Sequence, residues 1–337
     1  MQISQILNTL AAGNDLDVAT MESVIDELMS GSLTPAQTGA LLMGLRCKGE
    51  AVGEIAAAAR IMRRHATPID AGGGMVVDTC GTGGDGSGTF NISTTAAFIA
   101  AGAGVKIAKH GNRAASSRSG SADVLESLGV NVKASPETVS ACVQEVGIGF
   151  LFAQTLHGAM KHVIGARREM GIRTMFNLLG PLTNPAGAKA QVIGVFAPEL
   201  TEVLAGVLRD LGCEQALVVH GHDRLDEITL TANTKVTELR NGELETWDLD
   251  PRNWFGEYCQ PEDLAGGEPE ENAEITRAIL NGTPGPKANV AIANAAAAIY
   301  VSGMVGHLDE AVEKAREAVS SGAAAEKLAQ LVARSNA

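Results

Sequence analysis

The hydrophobic period of this chain changes at Ala71-Gly72-Gly73-Gly74, and the change limits what each part can become. Before it, apolar residues recur at helical spacing in Ile3-Ile6-Leu7-Leu10, Met21-Ile25-Leu28 and Leu41-Leu42-Leu45, with no strand-like run. Thr34-Pro35 ahead of Ala36 reads as a helix start, because a proline in the first turn lacks only an N–H that the helix would leave unbonded. After it, short β-branched runs alternate with helical stretches. Strands are predicted over Met75–Asp78, Val105–Ala108, Val130–Val132, Ile148–Phe152, Val192–Phe196 and Ala216–Val219. Helical patterns such as Pro136–Val146 and Pro198–Leu211 lie between them, and Lys235–Leu239, Asn241-Gly242 and Glu243–Trp247 read as a hairpin. The expectation is an α/β protein: a small N-terminal helical domain over residues 1–70 and a larger α/β domain over residues 71–337 with a mainly parallel sheet. Residues 160–187 fit the alternation poorly. They start helical and basic (Lys161, Arg167, Arg168) and end loop-rich, so a segment near 163–187 is expected to return to the helical domain over the sheet edge.

Length and charge narrow the function classes. The 337 residues suit about two domains at roughly 150 residues each. Lys+Arg number 26 against 39 Asp+Glu, a net charge of −13, and a chain so acidic gains nothing from counterion release on a phosphate backbone. Nucleic acid is therefore not an expected partner. Cys47, Cys80, Cys142, Cys213 and Cys259 are scattered, with no C-x-x-C, which fits a reducing cytoplasm better than a disulfide framework. The first residues lack the basic-then-apolar pattern of a secretory signal. Ala288–Leu308 carries no Asp, Glu, Lys or Arg, but it is mostly alanine and is interrupted by Asn289 and Asn294, so a buried helix is expected there and no membrane partner.

The strongest local signal is Asp78-Thr79-Cys80-Gly81-Thr82-Gly83-Gly84-Asp85-Gly86-Ser87-Gly88-Thr89, followed by Phe90-Asn91-Ile92-Ser93-Thr94. It begins where a strand ends and feeds a helix. Glycines let the backbone approach an anion, and a helix N-terminus presents free N–H groups with a favourable dipole. Asn91, Ser93 and Thr94 can cap that helix or meet ligand oxygens. A glycine-rich turn can also be only a turn, but so many hydroxyls beside so many glycines favour an anion loop. Gly81, Gly83 and Gly86 satisfy G-x-G-x-x-G too, yet a dinucleotide fold wants an acidic residue at the end of the next strand. Here that position is the basic Lys109-His110-Gly111-Asn112-Arg113, which leaves only a 2′-phosphate cofactor as a dehydrogenase option, and no Walker G-K-[ST] occurs.

That basic stretch continues as Ala114-Ala115-Ser116-Ser117-Arg118-Ser119-Gly120-Ser121 and leaves the carboxyl end of a parallel strand, where such sheets bind ligands. Two anion-suited loops at one edge imply a ligand with more than one phosphate. A third element, His220-Gly221-His222-Asp223-Arg224-Leu225-Asp226-Glu227-Ile228, also follows a strand. An Asp-Glu pair by itself is usually a solvated loop. Opposite two anion loops, Asp226 and Glu227 are hard-oxygen ligands suited to Mg²⁺ carried by a phosphate ester.

Together with Asn177-Leu178-Leu179-Gly180-Pro181-Leu182-Thr183-Asn184-Pro185, these motifs resemble, in the same order and over nearly the whole chain, those of anthranilate phosphoribosyltransferase. The resemblance implies a fold like the pyrimidine nucleoside phosphorylases and a homodimer formed through the helices. It implies transfer of a phosphoribosyl group from 5-phosphoribosyl 1-diphosphate to anthranilate in tryptophan biosynthesis, with Mg²⁺ as cofactor. By resemblance Gly81, Gly84, Asp85, Thr89, Asn91, Ile92, Ser93, Thr94, Lys109, His110, Gly111, Asn112, Arg113, Ala114, Ala115, Ser116, Ser117 and Ser121 would hold the diphosphate substrate. Ser93, Asp226 and Glu227 would hold the metal, and Gly81, Asn112 and Arg167 would meet anthranilate. The expected chemistry is substitution at the anomeric carbon, driven by positioning and by stabilisation of the departing diphosphate. No catalytic base is assigned; His110 and the substrate carboxylate are both open. Two departures from the family pattern stand out. Arg224 occupies a position commonly glycine, and Arg118 one commonly lysine.

Overall fold

A computed structural model describes residues 2–114 and 117–337. The first four helices are α1 (Ile3–Ala11), α2 (Val18–Met29), α3 (Pro35–Lys48) and α4 (Val52–His65). Local chemistry satisfies free amides at their starts. The Asp17 carboxylate accepts from Thr20 N at 2.9 Å ahead of α2. Before α3, Thr34 and Gln37 bond each other reciprocally, with Pro35 in the first turn. Ile6, Leu10, Met21, Val24, Ile25, Leu28, Leu41, Leu42 and Leu45 are all buried, which is the face that the helical spacing marks.

The chain then runs through β1 (Val77–Thr79), α5 (Ile92–Gly102), β2 (Ile107–Gly111), α6 (Ser121–Ser127), α7 (Pro136–Ala141), β3 (Ile148–Phe152), α8 (Ala153–Leu156), α9 (Ile164–Met170), α10 (Phe176–Leu182) and β4 (Ala190–Gly194). It continues through α11 (Leu200–Asp210), β5 (Gln215–Gly221), β6 (Thr234–Arg240), β7 (Glu243–Leu249), α12 (Arg252–Phe255), α13 (Pro269–Leu280), α14 (Pro286–Val301), α15 (Leu308–Ser320) and α16 (Ala323–Ser335). The sheet order is β3-β2-β1-β4-β5-β6-β7; the first five strands are parallel, β6 pairs antiparallel with β5, and β7 pairs antiparallel with β6. Asn241 and Gly242, with φ of 54° and 80°, make the tight turn between β6 and β7, since both central residues of such a hairpin turn need positive φ.

Alternation along the strands divides the core into two layers. Val192, Leu217 and Val219 face the layer built on α5 and α14, while Ile193, Val195 and Val218 face α11 and the N-terminal helices. No helix among the described residues is long and apolar enough to cross a membrane, and α14, which holds the uncharged alanine-rich stretch only as far as Val301, lies buried against α5, while residues 302–307 form a turn with Met304 exposed. Segment 160–187 leaves the sheet: α9 packs on α3, and α10 on α4.

The structure corrects one predicted strand. Val130 and Val132 are buried, but they enter the core from the turn after α6, where Gly129 has φ of 96° and Val130 N bonds to Leu125 O. Three residues with two valines carry the same apolar signal whether they pair in a sheet or plug a core from a loop. Pro136–Val146 is helical, as expected, but its last turn, Cys142–Val146, is a π-helix.

Candidate active site

The strand order reverses at β1: the chain goes to one side of it for β2 and β3, then returns to set β4 on the other side. A crevice at the carboxyl ends of two diverging strands is where open parallel sheets bind ligands. The glycine-rich segment leaves β1 there, and the Asp223–Ile228 loop leaves β5 and folds across the end of β4. Gly194, the last residue of β4, is the meeting point. Its carbonyl accepts from Thr82 N at 2.8 Å, and a Cβ on it would land on the carbonyl oxygen of Asp226.

Both carboxylates of the pair sit on anion donors. Gly83 N donates to Asp226 Oδ2 at 2.8 Å, and Ser93 N, in the first turn of α5, donates to Glu227 Oε1 at 3.2 Å. Burial, then the neighbouring Asp85, holds the Asp226 carboxyl well above the carboxylate range; burial, then Asp226, does the same to Glu227. Oδ2 of Asp85 is buried with no hydrogen-bond partner. Lys109, 3% exposed, donates from Nζ to Thr79 O, Thr79 Oγ1 and Ser93 Oγ, and Arg173 reaches Gly84 O beside Asp85. Three carboxylates still outnumber these cations, which fits a divalent cation. Among the described residues no three His, Cys, Asp or Glu side chains make a complete metal cage. That suits Mg²⁺, which keeps waters and phosphate oxygens in its shell.

Asn91 occupies the cap position of α5, yet its side chain does not cap the helix. Its amide donates to Ser119 O at 3.2 Å, and its Oδ1 accepts from Ser119 Oγ and Asn272 Nδ2, tying the first loop to the second. Ile92 and Thr94 are buried in the same turn, and Thr89 bridges to Ala265. The second loop is organised by Asp123, which accepts from Ala114 N, Gly120 N and Arg113 Nη1. Arg113 therefore spends its guanidinium on Asp123 and Glu126, both at 2.7 Å, rather than offering it to the crevice. Gly111 leaves the space that Ser121 Oγ fills, and Ser121 Oγ donates to Asn112 O at 3.2 Å. Ser117 Oγ donates to Ser119 O. Ala115 and Ser116 lie outside the described residues.

Both ring nitrogens of His110 are already met by protein groups. Its Nδ1 can only donate to the carbonyl of Gly180, at 3.1 Å, so in the neutral ring Nε2 is the acceptor, and it is met by His157 Nε2 at 3.2 Å. Burial, with His157 alongside, pulls the ring down to about 3, and burial pulls His157 down to about 4. This buried pair and the Asn184 side chain explain the Asn177–Pro185 motif. Asn184 Nδ2 donates to Asp78 Oδ2 at 2.7 Å and to Ala108 O, so the motif clamps the returning segment onto β1 and β2. Asp78 is fully buried, and that burial pushes its carboxyl up to about 6 despite the Asn184 bond.

Arg167 is half-buried on α9, its guanidinium 5.5 Å from the Phe176 ring centre. No carboxylate pairs with it among the described residues. Asn112 Oδ1 accepts from Gln154 Nε2 at 3.2 Å.

Asn294 and Asp123 are among the contributors that escaped the sequence reading. Asn294 on α14 accepts from Ile228 N at 3.0 Å and donates to Ile228 O at 2.9 Å, fixing the residue after Glu227. A polar residue in an otherwise apolar helix was the available signal. Asp123 gave none beyond its place after Ser121. Arg224 has φ of 78°, so the chain keeps the left-handed turn where the family pattern has glycine. Arg224→Gly is expected to raise unfolding stability by about 0.5–1 kcal/mol, strain relief slightly exceeding the unfolded-state entropy that glycine adds. Urea titration checks this, and a loss of stability would show that the arginine side chain contributes more than its backbone costs.

Models of the glycosyl transferase family match both parts of the chain: the helical bundle domain over residues 4–66 and the a/b domain over residues 73–325. The anthranilate phosphoribosyltransferase of Desulfosudis oleivorans is 53% identical over 330 residues, covering 98% of this chain and 97% of the relative. A crystal structure of the anthranilate phosphoribosyltransferase from Thermus thermophilus superposes with a TM-score of 0.93 at 44% identity, covering 98% of this chain and 99% of that one. The Saccharomyces cerevisiae enzyme in complex with PRPP and Mg gives 0.89 at 29% identity, covering 99% and 98%. The chain belongs to the anthranilate phosphoribosyltransferase family.

Proposed function

We propose that this protein transfers the phosphoribosyl group of 5-phosphoribosyl 1-diphosphate to the amine of anthranilate, giving N-(5-phosphoribosyl)anthranilate and diphosphate, a step of tryptophan biosynthesis. The observation that carries the reading is the placement of Asp226 and Glu227 on the amides of Gly83 and Ser93, so that anion donors and cation ligands share one crevice. Asp226, Glu227 and Ser93 would hold Mg²⁺, which when bound supplies charge that reconciles the carboxylates with a diphosphate and stabilises the leaving group. Gly81, Gly84, Asp85, Thr89 and Asn91 to Thr94 line the first loop for that substrate. Lys109 to Ala114, Ser117 and Ser121 line the second, with Arg113 entering through its backbone; Ala115 and Ser116 belong to the same motif by resemblance.

As the anomeric C–O bond to diphosphate breaks, the amine nitrogen forms the new C–N bond in line behind it. Lys109, held by Thr79 and Ser93 under the first loop, would add positive charge for the departing group, while Arg167, Asn112 and Gly81 would hold the acceptor. With His110 paired to His157, the anthranilate carboxylate is the group left to take the amine proton. Loss of anthranilate fluorescence in the presence of the diphosphate substrate and Mg²⁺ tests the reading. Phosphorolysis of thymidine with no consumption of anthranilate would sink it.

Arg167→Ala is expected to raise the KM for anthranilate roughly 10- to 100-fold, the cost of a charge-assisted bidentate contact, about 1.5–3 kcal/mol. The KM for the diphosphate substrate should stay within about twofold. Equal weakening of both would place Arg167 in the phosphate site.

The reading includes a homodimer formed through the N-terminal helices, in the cytoplasm. A groove of about 420 Å³ between α1 and α3, lined by Leu10, Ala40, Met43 and Gly44, with Met43 46% exposed, supports the first. Five free cysteines suit the second. Light scattering that gives a monomer mass at micromolar concentration would refute the dimer.

A further inference from the structure

Arg173 lies in the short link between α9 and α10, and its side chain crosses to the glycine-rich loop. The link is anchored at both ends. Gly171, with φ of 62°, closes α9 through its bond to Arg167 O, and Asn177 Oδ1 accepts from Thr174 N at 3.0 Å to open α10. From there Arg173 Nη2 donates to the carbonyl of Gly84 at 2.5 Å. The guanidinium carbon sits 4.1 Å from the ring centre of Phe196, just past the end of β4. A Cβ on Gly84 would lie 2.9 Å from Nη2, so the approach depends on glycine at a residue whose φ is already 83°.

We infer that Arg173 is a positioning residue that fixes the diphosphate loop against the segment carrying the acceptor-binding Arg167; this rests on the functional reading above. The loop is gripped at two consecutive glycines by groups of opposite character. Asp226 takes the N–H of Gly83, and Arg173 takes the C=O of Gly84. Arg167 lies six residues before Arg173, on the helix that the link closes, so the two substrate sites share one rigid connection. A run of glycines has more backbone freedom to lose than any other sequence, and ordering it in advance lowers what the diphosphate must supply on binding. The flat guanidinium is needed because it stacks on Phe196 while donating in its own plane; an ammonium can donate but cannot stack.

Hydrogen exchange of residues 82–88 in the ligand-free protein, together with steady-state kinetics, tests the inference. Arg173→Ala and Arg173→Lys are compared with Arg168→Ala, which removes a charge from α9 itself. Both Arg173 variants are expected to speed exchange in the loop and raise the KM for phosphoribosyl diphosphate, each about tenfold, with kcat changed less than about threefold. Arg168→Ala should leave both readouts at the wild-type value. Phe196→Leu, which removes only the stacking surface, should fall between, and it carries the test if an Arg173 variant folds poorly. Unchanged loop exchange in Arg173→Ala overturns the inference. So does a wild-type KM in Arg173→Lys, because charge acting directly on the diphosphate would then be sufficient. The exchange measurement needs no substrate, so a wild-type enzyme without turnover would refute the functional reading and leave the latch standing on its own result.

Discussion

Gly194→Ala is expected to lower kcat/KM by more than about a hundredfold, and to destabilise the fold by about 3 kcal/mol. The added methyl would occupy the space of the Asp226 carbonyl, and backbone on both sides makes the conflict hard to relieve. On one side, β4 is held in register by β1 and β5, with Val192 opposite Thr79 and Leu217. On the other, Asn294 clamps Ile228 from within buried α14. Movement of either part would also carry Thr82, whose N–H and hydroxyl both donate to Gly194 O. The glycine loop, the Asp226 loop and the carboxyl end of β4 thus share one residue without a side chain. Denaturant unfolding and kinetics on the same preparation check the result; a variant within twofold of wild type in both would show that the Asp226 loop is freer than its packing implies.

The second large effect concerns charge. The double substitution Asp226→Asn with Glu227→Gln should reduce turnover by about a thousandfold at ordinary Mg²⁺, the scale of losing a main electrostatic stabiliser of the leaving group. Excess Mg²⁺ should rescue it only in part. The ligand-free variant should nevertheless be at least as stable as wild type above neutral pH. Burial raises both carboxyls above their unfolded values, with Asp85 adding to the effect on Asp226 and Asp226 to that on Glu227, so the folded wild type binds more protons than the unfolded chain once pH exceeds about 4. Stability contributed by the two groups is complete below that pH and is lost as pH rises through the raised folded values. Amides do not titrate, so the variant's profile should be flatter over this range. For wild type, Mg²⁺ with diphosphate should restore the loss by binding only the folded state. Rate against Mg²⁺ and thermal midpoint against pH are the measurements. An unchanged Mg²⁺ profile would show the pair to be a solvated surface, and equal pH slopes would show the carboxylates to be unstrained.

Much of the architecture was legible because period and turn chemistry are local. The helical face of Ile6, Leu10, Met21 and Ile25, the Thr34 start of α3 and the Asn241-Gly242 hairpin each depend on residues a few positions apart. The segment Val130–Val132 shows the limit of that logic, since burial alone does not say whether a valine pairs in a sheet. Its neighbour Gly129, with positive φ, sends the chain through a turn instead.

The candidate site divides along the same line. Residue types suited to anions and to a hard cation were readable in Gly81 to Thr94, in Lys109 to Ser121 and in Asp226-Glu227, because glycine, lysine and adjacent carboxylates advertise their chemistry wherever they fall. Which of these side chains face the crevice depended on partners far away in sequence. Asp123 and Glu126 claim Arg113, His157 and Gly180 claim His110, and Ser119 and Asn272 claim Asn91. Arg173, Gly194 and Asn294 matter through contacts with Gly84, Asp226 and Ile228 that exist only once β1, β4 and β5 lie side by side. A side chain's chemistry is a property of its residue, whereas the direction in which it is spent is set by whichever donor or acceptor the folded chain brings within about 3 Å.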